Sequence, residues 1–531
     1  MDSRKRLVPQ RLQYSLGITL FAGLFSFGAL AEPSPAEATA PASETCYADG
    51  WSESLRCYRI PVGADSADDQ ITLSVLVAPA VNGGQHEPLY LLAGGPGQAA
   101  SDLVRLLNPL RKLNRGRDIV MVDRRGGGRS DAFDCGFGAE IPNNIELMTA
   151  QLAACYINAG ERPLTINSRQ TVEDLESVRR ALGHERISLW GGSWGTRTAL
   201  LYQQWYPDAL QSLVLDGVAP IDTKVFLAAS AAESALRELE QACSEDPVCT
   251  GFGNWRSQLD NLLANWSHAQ ASNFPDPFTG RPAEEPVETW MLAGAVRTAL
   301  YDPAAAAQLP YAVSEASRGN YAPLSGILGL FADMEGAMSL GLTYSVACAE
   351  EMNRIDAADI ARDADGTFIG DMFIRIFVEG CKVWPVPPRP YDTPEPRDHP
   401  VLLISGTADP ITPPEYADEQ LAYLPNQQHL VVQGGGHINS PRGCVPDLIL
   451  QFLDQPGAPL DDGCIADIRR PPFAAGAFGP ALMPEQMIPE AESMLAQEGS
   501  AGSASEGSEK NPEQLEQRDT PTEEVAGGDQ P

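Results

Sequence analysis

The chain has 531 residues, a formal net charge of −34 and ten cysteines. This length is enough to bury a large core, and it favours one large domain with an insertion, or two domains, over a small scaffold. A charge this negative argues against nucleic acid and against an anionic membrane surface as partners.

The N-terminus has the pattern of a secretory signal. Arg4, Lys5, Arg6 and Arg11 are followed by an apolar run, residues 16–30, that ends in Ala-Leu-Ala at 29–31. The run is short for a membrane span, and the small residues at its end are typical of a cleavage site; an uncleaved anchor is the alternative. We therefore expect a signal peptide over residues 1–31, export to the periplasm or the medium, and no stable membrane insertion after cleavage.

All ten cysteines follow that segment and occur in closely spaced pairs. In an exported protein this pattern predicts disulfides, and although sequence does not fix connectivity, the spacing favours neighbours. The favoured pairs are Cys46 with Cys57, Cys135 with Cys155, Cys243 with Cys249, Cys348 with Cys381, and Cys444 with Cys464. Metal binding is the alternative, but no C-x-x-C motif is present and the six histidines are scattered. We predict neither a metal site nor a cofactor.

Short apolar runs alternate with helical patterns along much of the chain. Runs typical of buried strands lie at 71–77, 89–93, 119–123, 187–190, 213–215, 401–405 and 430–432. An amphipathic helix is expected from Val172 to Leu182, opened by Thr171 with Asp174 three residues later and ended by Gly183. This alternation predicts an α/β fold whose mostly parallel sheet is covered on both faces.

The alternation stops between the runs at 213–215 and 401–405. This stretch contains alanine-rich helical patterns at 226–243, 289–301 and 327–340, and we assign residues 221–398 to a mostly helical cap. The α/β domain then comprises residues 46–220 and 399–483, preceded by a Pro/Ala linker at 32–45. Residues 484–531 are rich in Glu, Gln, Ser, Gly and Pro, and a segment with so few apolar side chains is expected to be a disordered acidic tail.

Residues 187–204 combine a short strand, a glycine-rich turn and a helical pattern. The turn contains Gly191, Ser193 and Gly195 as G-x-S-x-G, the nucleophile elbow, in which a strained serine needs glycines beside it. The motif also occurs by chance in glycine-rich loops, so its interpretation as an elbow depends on the strand before it and the helix after it. In an elbow the serine hydroxyl is exposed, and the amide of Trp194 points to where an acyl-transfer oxyanion forms. Ser193 is thus the candidate nucleophile and Trp194 a candidate oxyanion donor.

Two later loops contain the partners that this chemistry requires. Asp409 follows the run that ends at residue 405, and His437 follows the run that ends at residue 432, after three glycines. Taken singly, each would be an ordinary loop residue. The order Ser193, Asp409, His437, however, is that of α/β hydrolases and of no other common serine-hydrolase fold. His437 would take the proton of the attacking hydroxyl, and Asp409 would orient the imidazole and stabilise its charged form.

Two glycine-rich loops precede the elbow. Residues 94–97, GGPG, leave a strand and are suited to bring a backbone amide to the oxyanion, with Gly95 the preferred second donor and Gly94 the alternative. Residues 123–130, DRRGGGRS, follow the next strand. A phosphate-binding loop is the other interpretation, but neither segment has the spacing of a P-loop or of a dinucleotide-binding fingerprint.

Five motifs follow one another between about residues 85 and 450: G-G-P-G, D-x-R-G-x-G-x-S, G-G-S-W-G, G-x-x-D-P-x-T-P and G-G-H. In this combination the chain resembles the prolyl aminopeptidase and tripeptidyl aminopeptidase family of secreted α/β-hydrolase serine peptidases. The resemblance implies an α/β-hydrolase fold with a helical cap, and release of amino acids or short peptides, tripeptides included, from peptide substrates with a free N-terminus. It also implies acidic cap residues that hold the substrate ammonium, for which Glu350 and Glu351 are the candidates.

Two positions depart from the pattern of that family. Ala93 stands where many relatives have histidine before G-G-P-G, and Arg124 stands where many have glutamine after the aspartate of the second motif. The expected function is an exported serine aminopeptidase that works through an acyl-enzyme. The alternatives are an esterase or lipase-like enzyme and a non-catalytic binding protein on the same fold, because fold alone does not decide function.

Overall fold

The computed structural model describes residues 41–480 except 64–69, 137–143, 284–285, 337, 392 and 478. The expected signal peptide, most of the expected linker and the expected acidic tail therefore lie outside the described residues. Within the described part of the chain, no helix is long and apolar enough to cross a bilayer.

A nine-stranded sheet forms the centre of the molecule. Its strands are β1 (Ser43–Ala48), β2 (Trp51–Val62), β3 (Ile71–Ala78), β4 (Leu89–Leu92), β5 (Ile119–Val122), β6 (Ile187–Gly192), β7 (Leu210–Asp216), β8 (Val401–Gly406) and β9 (Gln427–Val432). They lie in the order β1-β2-β3-β5-β4-β6-β7-β8-β9. The pairs β1–β2, β2–β3 and β3–β5 are antiparallel, and the remaining five pairs in this order are parallel. The mostly parallel sheet that the sequence predicts is confirmed.

Helices cover both faces of this sheet. On the α/β domain they are α1 (Ile145–Ala159), α2 (Ser168–Ala181), α3 (Trp194–Trp205), and, after the cap, α15 (Pro414–Glu419) and α16 (Val445–Asp454). One face packs against α2, α3 and α15, and the other against α16 and a 3-10 helix at Ala100–Leu107. Strands β4, β5, β6 and β8 are consequently buried along their whole length. Such two-sided burial explains why β4 and β5 are apolar without interruption and why β6 and β8 are mostly apolar.

The described elements between β7 and β8 are helical. They are α4 (Ala229–Ser244), α5 (Pro247–Thr250), α6 (Trp255–Ala264), α7 (His268–Ala271), α8 (Thr289–Ala299), α9 (Pro303–Ala306), α10 (Leu309–Ser317), α11 (Ala322–Gly336), α12 (Leu340–Glu350), α13 (Ala357–Ala364) and α14 (Met372–Lys382). Helices α4, α6, α8, α10 and α11 enclose an apolar core of their own, while α12 and α14 pack with residues of the α/β domain. The cap therefore has its own interior and a separate contact layer over the site.

Three local predictions differ from the structure. The expected linker already contains strand β1 from Ser43, which with β2 forms an antiparallel edge where exposed polar residues hide the strand pattern. Helix α2 begins at Ser168 and not after Thr171, because the side chain of Asn167 accepts the Gln170 amide and caps it. The pattern at 327–340 belongs to two helices, since α11 ends at Gly336 and α12 begins at Leu340.

The five disulfides join the pairs that spacing favours. They are Cys46–Cys57, Cys135–Cys155, Cys243–Cys249, Cys348–Cys381 and Cys444–Cys464. The first links the edge strands β1 and β2, and the fourth links cap helices α12 and α14. Each closes a loop of at most 33 residues, so these bonds restrain local segments of the chain.

Candidate active site

Ser193 lies in a sharp turn between β6 and α3. Its backbone has φ 55° and ψ −126°, a left-handed conformation that few non-glycine residues adopt. A Cβ on Gly191 would lie 2.5 Å from the Gly195 carbonyl oxygen, and a Cβ on Gly195 would lie 2.1 Å from that of Leu92. Only glycine fits at these two positions, so the turn has the geometry of a nucleophile elbow.

Asp409 and His437 meet at the carboxyl ends of neighbouring strands β8 and β9. The imidazole Nδ1 lies 2.9 Å from Asp409 Oδ2, and both side chains are buried. The same carboxylate accepts the amides of Ile411 and Thr412 and the Thr412 hydroxyl, which fix its orientation. Because a carboxylate only accepts, Nδ1 carries the proton and Nε2 has a free lone pair. This is the tautomer that a general base requires.

Asp216 connects the elbow with the histidine loop, and the sequence analysis missed it. At the end of β7, its carbonyl accepts the Ser193 amide, while its carboxylate accepts the amides of Asn439 and Ser440. Burial raises the pKa of this carboxyl to about 6. A carboxylate directly after a buried strand is the signal that found Asp409, and it could also have found Asp216. Among the described residues, no hydrogen bond joins Ser193 Oγ to His437; the two are linked through Asp216, which bonds to the Ser193 amide and to the loop that carries His437.

The glycine loop after β4 lies against Ser193. A Cβ on Gly94 would be 2.9 Å from Ser193 Cβ and 3.3 Å from its Oγ, so the backbone passes directly beside the nucleophile. The Gly94 amide donates to the side chain of Gln98, at 3.3 Å. This bond engages the Gly94 amide, so Gly95, which has φ +106°, stays the predicted second donor toward an oxyanion.

The two positions that depart from the family pattern contact each other. Arg124 Nη2 donates to the Ala93 carbonyl oxygen at 2.6 Å, immediately before the glycine loop. Burial lowers the pKa of Arg124 to about 10, against the opposing charges of Glu350 and Asp123. The guanidinium therefore stays charged at neutral pH and anchors the start of the loop.

Glu350 and Glu351 are buried where the cap meets the α/β domain. Glu350 accepts from the amide and hydroxyl of Ser168 and from the hydroxyl of Tyr391, and burial raises its pKa. Glu351 accepts from Arg197 and from the Phe226 amide, with a fully buried side chain. The protein's own groups thus occupy both carboxylates, and neither faces an open cleft. Contact with a substrate ammonium would first require breaking these bonds, and this role of Glu350 and Glu351 stays a prediction.

A cap residue, Tyr301, completes the surroundings of the histidine. Its carbonyl oxygen accepts the His437 amide at 2.8 Å, and its ring lies 5.0 Å from the imidazole in an edge-on arrangement. Tyr301 follows α8 in an alanine-rich segment, and no sequence signal marked it. Across the described residues, no three His, Cys, Asp or Glu side chains group so that they could hold a metal ion.

Two family models match the chain. The model for the alpha/beta hydrolase fold covers residues 87–265, which include the elbow, and the model for TAP-like protein covers residues 366–464, which include Asp409 and His437. The fold and these matches define a hydrolase of the α/β class.

Three curated relatives indicate the branch of that class. A putative hydrolase of Escherichia coli K12, YuaR, is 29% identical over 200 residues, 35% of this chain and 40% of that protein. The proline iminopeptidase of Xylella fastidiosa 9a5c is 32% identical over 132 residues, 25% of this chain and 32% of that protein. Serine protease Hip1 of Mycobacterium tuberculosis H37Rv is 25% identical over 447 residues, 74% of this chain and 84% of that protein. The matches thus span less than half of the first two relatives. The chain belongs to the α/β-hydrolase family that contains the prolyl and tripeptidyl aminopeptidases.

Proposed function

We propose that the protein is an exported serine aminopeptidase that releases amino acids or short peptides, tripeptides included, from free N-termini. The observation that carries the proposal is the buried Asp409–His437 pair on the loop held beside the Ser193 elbow. Proline iminopeptidases and Hip1 among the relatives support peptide bonds as the target. Five disulfides support an oxidising compartment outside the cytoplasm.

The chemistry follows from the roles of the three side chains. His437 Nε2 takes the Ser193 proton as Oγ attacks the scissile carbonyl, and Asp409 stabilises the imidazolium that forms. The amides of Trp194 and Gly95 donate to the oxyanion. His437 then gives its proton to the leaving amine, and the acyl-enzyme remains. Water, deprotonated by the same imidazole, attacks the ester and releases the N-terminal product.

A panel of three substrates tests this proposal. We would compare a free-amine aminoacyl or tripeptidyl anilide, its N-blocked form and a short-chain aryl ester, and label the protein with a fluorophosphonate. Cleavage of the free-amine anilide alone would support the aminopeptidase. Turnover of the ester alone would favour the esterase, and absence of both turnover and labelling would favour a binding protein.

Two serine variants test whether turnover and labelling depend on Ser193. Ser193→Ala should abolish labelling and lower kcat by roughly 10⁵-fold or more, as loss of a triad nucleophile does. Ser177→Ala is the matched control, because Ser177 is an exposed serine on α2 whose hydroxyl bonds only to the Glu173 carbonyl. It should keep full activity and labelling.

A further inference from the structure

Arg297 is a buried cation of the cap that has no acidic partner in the described part of the chain. It lies in the last turn of α8 and is 4% exposed. Its Nη2 donates to the Tyr301 hydroxyl at 2.9 Å, and its Nε is buried without a hydrogen-bond partner. The other contacts of its guanidinium are aromatic, with the Phe373 ring centre 4.1 Å and the Tyr301 ring centre 5.3 Å from Cζ.

Of the other four buried arginines in the described part of the chain, three are paired with carboxylates and Arg124 donates to the Ala93 carbonyl instead. Arg117, Arg125 and Arg197 form ion pairs with Asp454, Asp174 and Glu351, respectively. Arginine is seldom fully buried unless it is paired, because removing its charge from water is costly. Aromatic faces offset part of that cost for Arg297, but they leave the Nε–H donor unused. Within the described residues, the surroundings of the Arg297 guanidinium therefore contain no anionic group to balance its charge.

Aromatic contacts connect Arg297 with two parts of the candidate active site, the histidine and the residue after the nucleophile. The ring of Tyr301 contacts both its guanidinium and the imidazole of His437. A second series of contacting rings leads from Arg297 to the residue after the nucleophile, through Phe373, Phe377, Phe226 and Trp194, with centre-to-centre distances between 4.5 and 5.9 Å. Tyr301, Phe373 and Phe377 are partly exposed, so part of the surface of these three side chains is accessible to solvent.

We infer that Arg297 binds a carboxylate of the substrate on the leaving-group side of the scissile bond. A carboxylate can accept from Nε and a neighbouring amino group of a guanidinium in a two-point arrangement. The side is inferred from chemistry, since the histidine protonates the leaving amine and Arg297 contacts Tyr301, whose ring contacts that histidine. The carboxylate is either the C-terminus of a short peptide or an acidic side chain. This inference rests on the proposed peptidase function.

Four peptides separate the two sources. They share one N-terminal part and end either in a free carboxylate or in an amide, with Asp or Asn as the residue after the scissile bond. The wild-type protein should prefer at least one carboxylate form over its neutral isostere by about tenfold in kcat/KM, mainly through KM. A preference for the free C-terminus over the amide would identify the C-terminal carboxylate as the bound group, and a preference for Asp over Asn would identify the side chain. Equal rates on all four peptides would overturn the inference without any variant.

Substitution then assigns the preference to Arg297. Arg297→Gln should bring the preference to within about twofold, because the charge that would bind the carboxylate is lost. Arg256→Gln is the matched control, since Arg256 is another cap arginine but is paired with Glu233, and it should keep the preference. An equal loss by Arg297→Gln on charged and neutral peptides would contradict the inference. If that variant does not fold, Arg297→Lys, which keeps a charge without the fork geometry, should weaken the preference without reversing it.

Failure of the peptidase proposal can be distinguished from failure of the anion site. If the wild-type protein cleaves none of the peptides, 4-acetoxybenzoate and its methyl ester give the same comparison with a carboxylate on an ester leaving group. A wild-type preference for the charged ester that Arg297→Gln removes would retain the anion site on an esterase. No preference for the charged ester would refute the anion site itself.

Discussion

Arg197 Nη1 and Glu351 Oε2 lie 2.7 Å apart, and both side chains are fully buried. Arg197 is in α3, one turn after Ser193, while Glu351 directly follows cap helix α12. The guanidinium also donates to the carbonyls of Pro220 and Thr223, and the carboxylate also accepts the Phe226 amide. This pair therefore fixes the cap to the helix that carries the nucleophile.

Breaking this pair on one side should destabilise the protein strongly. Glu351→Gln leaves the Arg197 charge buried without compensation, and we expect a loss of about 3–5 kcal/mol in the free energy of unfolding. The double variant Arg197→Met, Glu351→Met should lose less than the sum of the single variants, because it removes both charges. Denaturant titration measures these values, with Glu173→Gln of the exposed Arg169–Glu173 pair as the control. Strict additivity of the two single variants would rule out the coupling.

Asp216 should make stability depend on pH. Its folded pKa of about 6 lies above the ordinary 3.8, so burial of the charge is costly only where the carboxyl is ionised. Below pH 3.8 the Asp216 carboxyl is protonated in both the folded and the unfolded protein, and above pH 6 it is ionised in both. Its contribution to the free energy of unfolding therefore falls as pH rises from 3.8 to 6. The change is about 3 kcal/mol at most.

The variant Asp216→Asn isolates this effect. It loses hydrogen bonds to the histidine loop at every pH, but it lacks the titration, so its stability relative to wild type should rise between pH 4.5 and pH 7.5. Unfolding by guanidinium at these two pH values measures the difference, with Asp447→Asn, an exposed carboxylate, as control. If the difference in unfolding free energy between Asp216→Asn and wild type were the same at both pH values, Asp216 would not titrate in this range.

Arg124 should affect the chemical step more than binding. Arg124→Met removes the 2.6 Å bond to the Ala93 carbonyl and loosens the loop that supplies the second oxyanion donor. Because the oxyanion exists only along the reaction path, we expect kcat to fall about tenfold with little change in KM. Steady-state kinetics on any substrate that turns over can test this, with the exposed Arg129→Met of the same loop as control. A raised KM at constant kcat would place Arg124 in substrate binding.

Much of the fold was predictable because its signals are local. A strand buried on both faces must be apolar along its length, so β4, β5 and β8 were recognisable within a few residues. The edge strand β1 and its neighbour β2 were not, because this end of the sheet exposes polar side chains. The elbow was recognisable because close backbone approach at Gly191 and Gly195 admits no other residue.

The sequence by itself determined the order Ser193, Asp409, His437 and the class of sheet, and it favoured the pairing of nearby cysteines, since each depends on short-range patterns. Only the tertiary structure decided what Glu351, Arg124, Asp216 and Arg297 do. Glu351 meets Arg197 across 154 residues and Asp216 meets Asn439 across 223. The partner of a buried charge is chosen by how helices and strands pack, and no local pattern encodes that choice.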